Sequence, residues 1–182
     1  KTITFCYAGS ISDVKNLKFF LSFLSHLVRK GFLFEFHVFG SGPALAGLVE
    51  FVESSNLKTS VVFHGSFRNV DKEDLISSFD FGVLCNHNEP KLYQHGIGMN
   101  KIFDYLGSGL PVFIITCAKV DLIHDRFGYV SKNYEFVELE RDFYKCIDNL
   151  GKVEYSNGIN YLFLCLKTNL NPILQSLPSI DE

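Results

Sequence analysis

Apolar residues along this chain follow two alternating rhythms. Short apolar runs at residues 3–8 (ITFCYA), 33–39 (LFEFHVF), 60–64 (SVVFH), 79–84 and 112–115 (VFII) read as strands. Between the first two, Leu17, Phe20, Leu21, Leu24, Leu27 and Val28 recur at i, i+3, i+4 and i+7, the spacing of a helix packed on one side, and Gly31 stops it. Further helices are expected over 44–54, over 71–78 with acid in its first turn, and over 99–108. Gly109 stands where a left-handed cap would end the last of these, and Pro111 leads into the next strand. A short helix at 120–125, a short strand at 129–130 and two C-terminal helical stretches follow. The tail over 170–182, with Pro172 and Pro178, reads as extended or weakly ordered.

Strands and helices alternate almost throughout, and the strands are continuous apolar runs. Both features predict an α/β domain, a parallel sheet covered by helices on both faces. The 182 residues suffice for one such domain and not for two of full size. Residues 1–150 are expected to form it, with 151–182 a C-terminal helix and tail packing on the same domain. No internal repeat or low-complexity segment is present.

Composition narrows the function. The net charge of −3 and pI near 6.1 give no overall basic field, which argues against nucleic acid as a partner. Cys6, Cys85, Cys117, Cys146 and Cys165 form no CxxC pair. Their odd number, and the position of the first three in or beside apolar runs, suggest reduced thiols in a core. The sequence shows no signal peptide and no apolar stretch long enough to span a bilayer, so a cytoplasmic setting is expected. Because Lys1 runs straight into a strand pattern, the chain reads as a piece cut at a domain boundary.

Ligands of open parallel sheets bind beyond the C-terminal ends of the strands, so the loops there hold the candidates. GSISDVKN, residues 9–16, could seat a phosphate at a helix start with Lys15 adding charge, or could be a plain turn. FGSGPALAG lacks the third small residue of a dinucleotide fingerprint, since Leu45 stands there. It reads as a tight turn that lets the backbone approach something. The richest segment is HGIGMNKIFDYLGSGLPVF, residues 95–113. Gly96, Ile97 and Gly98 precede a helix whose start carries Asn100, Lys101 and Asp104, with Asn100 and Asp104 on one face. Amides and a cation for phosphate, with an acid for sugar hydroxyls, is one reading; an amphipathic helix with solvated polar groups is the other. Neither the six histidines nor Asp71 and Asp74 have metal-ligand spacing, and no DxD pair occurs. His87 and His95 lie in the site loop and are the two histidines worth testing; a structural or solvated role is the plainer reading for both.

NKIFDYLGSGLPV resembles the donor-site motif of retaining glycosyltransferases built from two Rossmann-like domains, the GT-B type (group 1, family four), in the branch that assembles bacterial polysaccharides. YAGSISDVKN, FHVFGSGP, VVFHGSF and DLIHDRFGYV agree with it in order, so the resemblance covers about residues 3–150. It implies one half of a GT-B fold, the donor-binding C-terminal domain, with a nucleotide-sugar as substrate and no cofactor or metal. Lys15 matches the lysine on the pyrophosphate, and Ser10 replaces an arginine that often follows Gly9. Gly65 to Arg68 would lie by the base. Gly96 to Gly98 would offer amides to sugar or phosphate, and Lys101 could supply the charge that Ser10 does not. Asp104 matches the second acid of the Glu-x7-Glu motif, on the ribose. The first acid would fall at Gly96 and is missing, as in many members of this branch.

The resemblance assigns no catalytic residue to this chain. It implies an acceptor-binding N-terminal domain, in the same protein or on another chain, without which a hexosyl transfer would be slow or absent. Peripheral association with the inner face of a membrane through that other half is a further expectation. Two alternatives stay open: half of a GT-B-fold nucleotide-sugar epimerase, and a non-catalytic nucleotide-binding α/β module.

Overall fold

The structure, a computed structural model, describes residues 2–68, 72–98, 100–120 and 127–150, with backbone alone at Lys72, Glu73 and Leu150. The strands are β1 (Ile3–Ala8), β2 (Phe34–Phe39), β3 (Val61–Gly65), β4 (Phe81–Cys85), β5 (Val112–Ile115) and β6 (Gly128–Ser131). The helices are α1 (Leu17–Arg29), α2 (Leu45–Glu53), α3 (Lys72–Ile76), α4 (Asn100–Gly107) and α5 (Phe136–Leu150), with a 3-10 turn at Asp13–Lys15. The strands form one sheet in the order β3-β2-β1-β4-β5-β6, and every neighbouring pair is parallel. This is the expected Rossmann-like α/β architecture. The chain winds outward from β1 to β3, then crosses back and winds the other way from β4, so the order reverses between β1 and β4.

Phenylalanine fills the core on one face of that seam. Phe5 on β1 stacks on Phe81 of β4 at 4.8 Å and lies 5.2 Å from Phe36 of β2. Phe20 of α1 and Phe143 of α5 meet it edge-on at 6.1 and 6.0 Å. All five rings are fully buried, so apolar area removed from water supplies the main drive for this packing. The next residues along, Cys6 and Gly82, face the opposite side, where α4 packs its Tyr105. Helices α1, α2 and α5 therefore share one face, and α3 and α4 the other. On that second face the β2–β3 edge stays open: Glu35 and Val62 are exposed, and His37 Nδ1 lies 2.8 Å from His64 Nε2. The two ring planes differ by only 15° with centroids 5.0 Å apart, which sets the nitrogens end to end as in an N–H···N bond.

The element boundaries differ from expectation where side chains take over backbone bonds. Leu33 is 75% exposed, and β2 begins one residue later. Phe79 and Asp80 precede β4 instead of opening it. The Asp80 carboxylate accepts bonds from the Thr4 amide (2.8 Å) and hydroxyl (2.9 Å), while the Asp80 amide donates to the Thr4 carbonyl (2.8 Å). That bridge limits the β1–β4 ladder to Phe5↔Phe81 and Cys6↔Gly82. Helix α3 ends before Ser77 and Ser78, whose hydroxyls donate back to the carbonyls of Asp74 and Leu75. Helix α4 ends in a Schellman motif: the Gly109 amide bonds Leu106 O (3.1 Å) and the Leu110 amide bonds Tyr105 O (2.8 Å). The helix expected at 120–125 falls mostly, and the segment 151–182 wholly, outside the described residues. No helix among the described residues is long and apolar enough to cross a membrane.

Candidate functional site

The reversal of strand order leaves a crevice beyond the C-terminal ends of β1 and β4, where open α/β sheets bind ligands. A cavity of about 230 Å³ occupies it. Of the residues expected from sequence, Ser10, Lys15, Ile97, Gly98, Asn100 and Lys101 line its wall. They come from two separated stretches that converge there: the loop after β1 with its 3-10 turn, and the end of the loop after β4 with the start of α4. Among the described residues the two lysines are its charged lining groups, and no carboxylate lines it. Two ammonium groups in one cavity favour a negatively charged ligand over a positive one.

Lys15 arrives by a different route from the one expected. The sequence pattern puts it in the first turn of a helix continuous with α1. Instead it closes the separate turn Asp13–Lys15, and Asn16, in the left-handed region at φ 43°, breaks the chain before α1. The short polar side chain of asparagine tolerates that conformation, which most residues do not. Asn16 also donates from Nδ2 to the Asn86 carbonyl at 3.4 Å, tying the turn to the end of β4.

The glycine loop after β2 turns out to approach the first loop itself. The Gly9 amide donates to Phe39 O and the Ile11 amide to Ser41 O, both at 2.9 Å. A Cβ at Gly40 or Gly42 would collide with the carbonyls of Gly9 and Ile11. The segment read as a turn is therefore a support that holds Gly9 and Ser10 in place.

At the start of α4, the Lys101 ammonium lies directly over Gly9, where a Cβ would strike it. It donates to the Ala8 carbonyl at 3.2 Å and lies 5.2 Å from the Tyr7 ring centroid. Gly9 thus underlies the site without being part of the cavity wall. Gly65, Arg68, Gly96 and Asp104 are not on that wall either. Gly65 accepts from the Gly40 amide at 2.7 Å, Arg68 is exposed, and the Gly96 amide bonds Tyr93 O at 2.9 Å. Asp104 is half-buried one turn beyond Asn100, and the Ser108 hydroxyl donates to its backbone carbonyl at 2.9 Å.

Five lining residues escaped the sequence reading: Leu84 and Cys85 at the end of β4, and the polar Tyr7, Asn86 and Tyr93. Tyr7 donates from its hydroxyl to Ser10 O at 2.6 Å, and burial pushes its phenol well above the usual range, so it stays a neutral donor. Asn86 is buried just past β4. Its carbonyl accepts from Tyr134 at 2.9 Å, and its Nδ2 lies 3.5 Å from Thr116 Oγ1. A polar residue directly after an apolar strand was the signal for Asn86. Tyr93 is buried within an otherwise polar loop, and its hydroxyl lies 3.5 Å from Val14 O. Of the two loop histidines, His87 Nε2 lies 2.6 Å from Asp13 O. A carbonyl can only accept, so that nitrogen carries the proton, and His87 ties two loops together. His95 is exposed.

Solved structures share this fold. A TarM mutant of S. aureus, in complex with Fondaparinux, alpha-GlcNAc-glycerol and UDP, superposes with a TM-score of 0.70 at 13% identity, over 96% of this chain and 34% of that one. Anabaena Alr3699/HepE in complex with UDP-glucose gives 0.67 at 17%, over 97% of this chain and 50% of that one. The lipopolysaccharide outer core galactosyltransferase WaaB gives 0.65 at 16%, with 97% and 50% covered. The chain therefore spans between a third and a half of the length of these proteins. No curated protein matches it in sequence. Residues 2–149 match the family model described as "Glycosyl transferases group 1", and the chain belongs to that family.

Proposed function

We propose that this chain is the donor-binding domain of a retaining, metal-independent glycosyltransferase that uses a nucleoside-diphosphate sugar in surface polysaccharide or glycoconjugate assembly. One observation carries the reading: a cavity at the strand-order reversal whose charged lining groups are two lysines from separate elements, Lys15 and Lys101. When the bond from the sugar's anomeric carbon to the diphosphate oxygen breaks, negative charge develops on the diphosphate. Two ammonium groups, the Ser10 amide and the amides at the start of α4 can stabilise that charge without a divalent ion. Asp104 is assigned to the ribose and Gly65 to Arg68 to the base. The acceptor site and the groups that complete catalysis belong to another domain, of the same protein or of a second chain.

TarM and HepE have each been solved with UDP, so UDP is the first ligand to try. Calorimetric titration with UDP, GDP, dTDP and ADP, each with and without EDTA, tests the proposal. Saturable binding of one nucleotide, unchanged by EDTA, is the expected result. Binding that EDTA abolishes would overturn the metal-independent part. Binding of none would overturn the donor-site reading in favour of a module without this ligand.

A further inference from the structure

Helix α4 reaches across the sheet and holds both polar groups of a single residue at the end of β1. The buried Ala8 amide donates to the Tyr105 hydroxyl at 2.9 Å. The Ala8 carbonyl accepts from Lys101 Nζ at 3.2 Å. Lys101 and Tyr105 are four residues apart, so they stand one above the other on one helix face. Two glycines make room for them: Gly9 under the ammonium, and Gly82 under the Tyr105 ring, where a Cβ would lie 2.7 Å from ring carbons. Burial pushes the Tyr105 phenol well above its ordinary range, which keeps it neutral at any working pH.

Ser10, two residues after Ala8, reaches the cavity wall. The Gly9 amide is bonded to Phe39 O, the Ser10 carbonyl accepts from Tyr7, and the Ser10 amide has no partner among the described residues. The direction of that one amide is fixed by the peptides before it.

We propose that Tyr105 is a positioning residue, which acts with Lys101 through Ala8 to set the Ser10 amide against the diphosphate of the bound donor. The inference rests on the donor-site reading. It assigns Tyr105 a role in binding without contact with ligand, and it makes the first loop and α4 one unit: displacing either displaces the anion site.

The test compares three proteins by two readouts: amide hydrogen exchange at Ala8, and affinity for the nucleoside diphosphate that the wild type binds. Tyr105→Phe keeps the ring on Gly82 and removes only the acceptor. Tyr129→Phe removes the same atom far from the site, where it donates to Asp142 at 3.0 Å. Tyr105→Phe is expected to speed Ala8 exchange about tenfold and to weaken nucleotide binding roughly three- to tenfold, the scale of one buried hydrogen bond. Tyr129→Phe should lower thermal stability comparably and change neither readout. Lys101→Met gives a second approach, since it frees the Ala8 carbonyl and should shift the Gly9 amide resonance of the same peptide. Unchanged Ala8 exchange in Tyr105→Phe would overturn the inference. So would lost protection with wild-type affinity, or equal weakening by Tyr129→Phe. A wild type that binds no nucleoside diphosphate would instead sink the donor-site reading, and the inference with it.

Discussion

At position 82 the Tyr105 ring fills the space a side chain would need. Gly82→Ala is therefore expected to destabilise the domain by about 1–3 kcal/mol, the cost of overpacking a buried contact, measured by urea unfolding. Asp104 poses a functional question instead. Asp104→Ala should weaken nucleotide binding by roughly 1–3 kcal/mol if the carboxylate holds the ribose, and calorimetry on the folded variant decides. Unchanged affinity would remove Asp104 from the site. Residue chemistry was legible in the sequence where charge or a family motif marked it, as at Lys15 and Lys101. It was not legible at Tyr7 or Tyr105, because an aromatic residue in an apolar run reads as packing, and only the fold shows where its hydroxyl points. Gly82 was silent for the same reason: nothing local distinguishes a glycine kept for space from one kept for its backbone.

Elements were legible where periodicity was strong. The expected strands and most of the expected helices form, and all six strands lie parallel. What the pattern could not supply is where polar side chains cut an element short, as Asp80 does at β4 and Asn16 at α1. A further polar junction joins β6 to α5. The Asp142 carboxylate accepts from Ser131 at 2.7 Å, Asn133 at 2.8 Å and Tyr129 at 3.0 Å. Burial pushes this carboxyl up, but the bonds from Ser131, Asn133 and Tyr129, with Lys145 nearby, outweigh it and hold the group below its usual range. A depressed carboxyl stabilises the fold above its unfolded value and loses that contribution as pH falls through its folded one. Thermal midpoints should accordingly drop as pH falls below about 4, where free aspartate begins to protonate. Asp142→Ala should cost roughly 2–3 kcal/mol at neutral pH by leaving buried donors unmatched, and should flatten that acid limb. An acid limb as steep as the wild type's would place the dependence elsewhere.

Across the whole molecule, the sheet is two three-stranded halves joined at β1 and β4. That join includes two paired positions, the Thr4–Asp80 bridge, the Phe5–Phe81 stack and the hold of α4 on Ala8. The cavity opens along the same line. Topology of this kind was legible from the alternation of elements, whereas the strand order that locates the crevice was not, since periodicity says nothing about which strands are neighbours. The seam also falls at one point of the chain, because β1, β2 and β3 all precede β4, β5 and β6. A single break between β3 and β4 divides the protein into two fragments, each carrying one lysine of the cavity. If the proposed donor's diphosphate meets both lysines, that ligand would help drive reassembly of the pair, and the domain would serve as a scaffold for a split sensor.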